Sequence, residues 1–246
     1  MRHDPDVLLL AGSAEARQIA KGLLARGLGV QALMSEPPRG SEPMPVPYEV
    51  VGEDLDARVA DLAQGARVIV DACHGFDAAM TTAGARAAKA TERPLVSVTR
   101  PAWDVAESPL WESAADMTEA IDMIPSGARV FAATGWESLP ACRGFRGEVL
   151  MLRQTTHHDK SPPLDFVELA FGDAPFSVAG EITLFERMKV DTVVCRNLGG
   201  LPSRPKLEAA LALGIQVILI ERPTKPAGVR EVATVDAALD WVADHV

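Results

Sequence analysis

The apolar residues of this chain fall into short unbroken runs separated by stretches of helical spacing. Val7-Leu8-Leu9-Leu10-Ala11 is the first run. Its continuity predicts a strand covered on both faces, since a half-exposed strand alternates apolar with polar. Ile19, Ala20, Leu23 and Leu24 follow at helical spacing. The same alternation predicts strands at 30–34, 48–51, 68–72 and 95–99, and helices over 55–64 and 78–90. A proline-rich loop occupies 37–47.

Further along, strands are predicted at 129–134, 148–154, 192–195 and 216–220, and helices over 177–189 and 206–213. Residues 164–169 fit either state. Gly214 reads as a helix C-cap, and Thr234 as the N-cap of a closing helix through Trp241. Patterning is weakest over 101–127, which puts an expected boundary near Ile124. The expected architecture is α/β: two Rossmann-like domains, 1–124 and 125–246, with mainly parallel sheets and a cleft between them. Right-handed crossovers then gather the loops after the strands along one edge of each sheet.

The chain has 246 residues, 48% of them hydrophobic, enough for a sizeable core. Its net charge of −10 disfavours nucleic acid or an anionic membrane as partner. No apolar run approaches the ~18 residues of a membrane span. The first residues lack the apolar stretch of a secretion signal, and Cys73, Cys142 and Cys195 lie far apart. These features point to a cytoplasmic protein with reduced thiols and no metal site.

Chemistry is expected in the loops that follow strands. Gly12-Ser13-Ala14-Glu15-Ala16-Arg17 joins a buried strand to a helix, so backbone amides and a helix dipole converge where a phosphate binds well. The competing reading is a plain turn with Ser13 as N-cap. The loop at Ser35, Glu36 and Arg39 stands where a dinucleotide fold reads the adenine ribose. Ser35 and Arg39 suit a 2′-phosphate, whereas Glu36 suits a free hydroxyl. His74 is a candidate anion donor or proton shuttle, and Arg100 a carboxylate partner. Arg196-Asn197-Leu198-Gly199-Gly200 offers paired glycines with Lys206 close behind. No nucleophile–base arrangement is evident, which favours a reaction whose reactive group comes from a cofactor.

In order and spacing these loops resemble the precorrin-6A reductase family of cobalamin biosynthesis, over almost the whole chain. The family's Gly-Thr-x-Glu-Ala-Arg loop is matched by Gly12 to Arg17, with Ser13 keeping the hydroxyl. Asp-Ala-Thr-His-Pro-Phe is matched by Asp71 to Phe76, with Cys73 and Gly75 as departures. Arg100-Pro101-Ala102-Trp103, Thr134-Gly135, Pro175-Phe176 with Glu181, and Glu221-Arg222-Pro223 complete the pattern. Lys-x-Ser-Gly-Gly appears as Arg196 to Gly200, where Leu198 removes a hydroxyl.

The resemblance implies NADPH-dependent reduction of one macrocycle double bond, converting precorrin-6A to precorrin-6B. Taken with the strand-end reading of Ser35 and Arg39, it gives an expected cofactor site at Gly12, Ser13, Ala14, Glu15, Arg17, Ser35, Arg39 and His74. Substrate carboxylates would meet Arg100, Arg196, Asn197, Gly199, Gly200, Lys206 and Arg222. The small-molecule tetrapyrrole is the expected partner, met by a monomer or one touching other pathway enzymes transiently. The alternative is a non-catalytic nucleotide- or tetrapyrrole-binding protein on the same scaffold.

Overall fold

The computed structural model describes residues 4–38 and 42–246. It divides into two compact units. One runs to Arg100 and resumes over Pro223–Val246, and the other spans Pro101–Arg222.

In the first unit, β1 (Val7–Ala11), α1 (Ala14–Ala25), β2 (Val30–Met34), β3 (Tyr48–Val50), α2 (Leu55–Gly65), β4 (Val68–Ala72), α3 (Ala78–Thr91) and β5 (Leu95–Val98) follow in turn. The second unit contains β6 (Trp111–Ala114), α4 (Met117–Met123), β7 (Arg129–Ala133), β8 (Val149–Gln154), β9 (Val167–Phe171), α5 (Val178–Met188), β10 (Thr192–Arg196), α6 (Pro205–Leu213) and β11 (Gln216–Ile220). The chain then returns to the first unit with β12 (Arg230–Val232) and α7 (Val235–Ala243).

Each unit is built on one six-stranded sheet, ordered β12-β5-β4-β1-β2-β3 in the first and β6-β11-β10-β7-β8-β9 in the second. Every strand pairing in both is parallel. Parallel strands need crossovers, which here cover both sheet faces and explain the unbroken apolar runs. On β1, Val7, Leu9 and Ala11 face the core that includes α1 and α7. Leu8 and Leu10 face the core under α2 and α3. In the second unit, Phe131, Met151, Val193 and Leu219 pack with Phe185 of α5 and Leu207 of α6.

The division of the chain differs from the expected boundary at Ile124. β6 aligns Trp111 with Val217 of β11, so 101–124 belongs to the second unit. β12 aligns Arg230 with Val96 of β5, and α7 buries Ala238, Trp241 and Val242 in the first core. Both added strands are short, and half or more of their residues are polar, so neither leaves an apolar run: β6 reads Trp-Glu-Ser-Ala and β12 Arg-Glu-Val. The ambiguous stretch at 164–169 resolves as a turn leading into β9, whose Val167 aligns with Leu150.

Candidate active site

In an open parallel sheet, ligands bind beyond the carboxyl ends of the strands, where the strand order reverses. That point lies between β1 and β4 in the first unit and between β7 and β10 in the second.

At the first point Gly12 turns the chain from β1 into α1. A Cβ on Gly12 would lie 2.8 Å from the backbone nitrogen of His74, so the glycine permits the close approach of the two turns. Ser13 caps α1: its Oγ accepts the Ala16 amide at 3.3 Å and donates to the Ala72 carbonyl at 2.9 Å. The amides of Gly12 and Ser13 donate to that same carbonyl at 3.2 and 3.1 Å. Two amides expected to face a ligand are thus tied to β4, and the anion-facing positions that remain are in the first turn of α1.

Glu15 and Arg100 were expected to serve different ligands, yet they form one bidentate ion pair. Arg100 Nε and Nη2 donate to the two Glu15 carboxylate oxygens at 2.5 and 2.6 Å. Burial alone would raise the Glu15 pKa. The Arg100 hydrogen bonds and charge outweigh it and hold the carboxyl below its ordinary range. Arg17 sits half-buried one turn into α1.

Ser35, just after β2, donates to Asp77 Oδ2 at 2.6 Å, while Asp77 Oδ1 caps α3 through the Met80 amide at 3.1 Å. Arg39 lies outside the described residues. His74 Nδ1 accepts the Phe76 amide at 3.3 Å, which leaves Nε2 as the protonated nitrogen of the neutral ring. Burial, with Asp71 and Asp77 adding to it, pushes the Cys73 thiol well up, so it is a poor nucleophile.

The sequence reading missed a polar network beside β4. Asp71 is buried, and its Oδ2 accepts from Thr81 Oγ1 at 3.0 Å and Ser97 Oγ at 2.8 Å. Lys225 donates to Ser97 Oγ at 2.5 Å and to Thr99 Oγ1, and pairs with Glu231 at 3.3 Å. No local signal could have found Lys225, because it lies far along the chain in a segment assigned to the other domain.

At the second point the Arg196 guanidinium lies over Gly135, where a Cβ would come within 3.4 Å of both its terminal nitrogens. Asn197 was expected to meet substrate, but both ends of its amide are engaged. Its Oδ1 accepts the Trp103 amide and its Nδ2 donates to the Trp103 carbonyl, both at 2.9 Å. Trp103 Nε1 in turn donates to the Gly200 carbonyl at 3.1 Å. Gly199 and Gly200 take φ of 66° and 71°, a region that favours glycine. Lys206 donates to the Ser203 carbonyl and stands 5.7 Å from the centre of the Trp103 ring. Its burial lowers the ammonium pKa. Arg222, just beyond β11, is half-buried. A second missed pair joins Arg153, near the end of β8, to Glu181 of α5. The strand-end rule that picked out Arg196 would also have found Arg153.

A family model described as precorrin-6x reductase CbiJ/CobK matches residues 6–243. The chain belongs to the precorrin-6x reductase family. A precorrin-6A reductase of Rhodococcus erythropolis is 35% identical over 242 residues, covering 96% of each chain. One from Rhodobacter capsulatus is 31% identical, covering 97% of this chain and 96% of its own. A solved structure named CobK precorrin-6A reductase superposes with a TM-score of 0.88 at 29% identity, covering 98% of this chain and 97% of its own. As a precorrin-6x reductase the protein is an oxidoreductase of cobalamin biosynthesis that reduces precorrin-6A, a reaction that implies a nicotinamide cofactor. Among its described residues no helix is long and apolar enough to cross a membrane.

Proposed function

We propose that the reductant is NADPH and that its phosphates bind where β1 meets α1. The carrying observation is the Gly12 turn, whose Cβ-free approach to the His74 backbone brings the loop after β4 beside the N-terminus of α1. Ser13, Ala14 and the Glu15 amide line this start of α1, and Arg17 adds positive charge one turn on. Ser35 serves the ribose end, Arg39 is read from the sequence alone as its companion for a 2′-phosphate, and His74 Nε2–H is a donor to the bound anion. When bound, the nicotinamide supplies a hydride to one carbon of the macrocycle double bond, and a proton from water or an acid completes the reduction.

The residues then divide by task. Arg196, Gly199, Gly200, Lys206 and Arg222 hold the acidic arms of the tetrapyrrole. Arg100 and Asn197 act by positioning, the first fixing Glu15 and the second fixing Trp103. The enzyme works in the cytoplasm as a monomer or through transient contacts with other enzymes of the pathway.

Purified protein supplied with precorrin-6A is expected to oxidise NADPH in preference to NADH, followed by loss of the nicotinamide absorbance. Gly12→Ala forces the two turns apart, and NADPH binding, read by nicotinamide fluorescence, should weaken about tenfold, equivalent to about 1.4 kcal/mol. Unchanged affinity in a folded variant would place the phosphates elsewhere.

A further inference from the structure

Beyond the Arg196 loop, the second unit carries a cluster of buried charge that neither the reaction nor the proposed cofactor site uses. Arg153 and Glu181 have side chains only 10% and 4% exposed. Arg153 Nη2 donates to Glu181 Oε1 at 2.9 Å and Oε2 at 2.8 Å. Phe176 and Phe131 flank the guanidinium, with ring centres 4.2 and 4.9 Å from its carbon. That packing leaves Nε buried without a hydrogen-bond partner. An unmet buried donor on a cation is costly, and the faces of the two phenylalanine rings offset part of that cost. Lys206, one of the groups proposed above to hold the substrate, lies outside the pair but within electrostatic reach of both its members, in a chain whose net charge is −10.

A cavity of about 300 Å³ opens on this cluster. Arg153 and Glu181 line it, together with Ser177 at the N-cap of α5. The positive end of an eleven-residue helix therefore adds to the field of the arginine. Phe171, Phe176 and Leu184 supply apolar walls, while Asp173 and Arg187 are exposed and opposite in sign. Gly172 keeps the approach open: a Cβ there would stand 3.0 Å from Arg153 Nη1 and 3.3 Å from Phe176 Cε1.

We propose that this cavity is a subsite for one carboxylate arm of the macrocycle, with Arg153 as its anchor and the phenylalanines around its methylene carbons. The proposal rests on the tetrapyrrole as substrate. An oxyanion could also come from a cofactor phosphate, but a phosphate has no carbon to place against the apolar walls.

Two variants test it. Gly172→Ala narrows the approach without removing a charge. Arg153→Gln combined with Glu181→Gln removes both charges, so neither is left buried alone. In each, the KM for precorrin-6A should rise about tenfold, as expected for loss of one charge-assisted contact, while the NADPH Kd stays within about twofold. A folded variant with unchanged KM for precorrin-6A overturns the proposal. So does a weakened NADPH Kd with that KM unchanged, because it assigns the cavity to a phosphate. Titration with uroporphyrin, an octacarboxylate tetrapyrrole, followed by tryptophan fluorescence, separates this inference from the reading it rests on. Binding by the wild type that the variants lose supports the subsite even if precorrin-6A is not turned over. Equal binding by the wild type and both variants overturns it. No uroporphyrin binding and no precorrin-6A turnover by the wild type overturns the substrate reading, and the proposal with it.

Discussion

Arg100 and Glu15 illustrate what happens to charged residues read one at a time. Each looked like a ligand contact, because each stands in a loop that follows a strand. Eighty-five positions separate them, and only the parallel pairing of β1, β4 and β5 brings their loops to one edge. Arg100→Gln should cost about 2 kcal/mol at neutral pH, less than a fully buried pair because both side chains keep some exposure. Glu15 has its pKa depressed in the folded state, so the pair's contribution is complete above the unfolded carboxylate range. It fades as the pH falls through the folded value. Urea midpoints of the two proteins, compared at neutral pH and under increasing acidity, should therefore converge as the solution becomes acid.

Among the elements, the long strands and helices could be read from the sequence because covering both sheet faces demands long apolar runs. Predicted and observed ends mostly agree within a residue or two, as at β4 and β11. The caps at Ser13, Gly214 and Thr234 were equally legible, since each depends on local chemistry. β6 and β12 were not: their few residues gain stability from a neighbouring strand rather than from a pattern of their own. The site followed the same rule. Loops on the strand-end edge were found by position, whereas the hydrogen-bonding partners within them depended on contacts between distant parts of the chain. Asn197 is the clearest case, because its amide joins the loop after β10 to the segment that carries Trp103. Asn197→Ala leaves the Trp103 amide and carbonyl unpaired. It should lower stability by about 2 kcal/mol in urea denaturation, the cost of stranding buried polar groups.

At the scale of the molecule, the two sheets share one wiring. β1 to β5 of the first occupy the places of β7 to β11 in the second. They differ in the source of the sixth strand, which precedes the others in the second unit and follows them, across an intervening unit, in the first. A fragment spanning 101–222 contains every strand of its sheet and should fold alone, with a cooperative thermal transition. A fragment ending at residue 100 lacks β12 and α7, and exposes the apolar surface that Trp241 and Val242 cover. It should stay soluble and folded only when residues 223–246 are supplied, which limited proteolysis with and without the added peptide would reveal.

That wiring also sets a timetable for synthesis. Chains fold domain by domain as they leave the ribosome, usually with the earlier domain first. Here the first hundred residues emerge early and must wait, with an open sheet edge at β5, until the whole middle unit has been translated. The nascent enzyme is thus expected to finish its inserted unit before its leading one. Its period of greatest exposure to aggregation and to chaperones would be the interval between residue 100 and the arrival of β12.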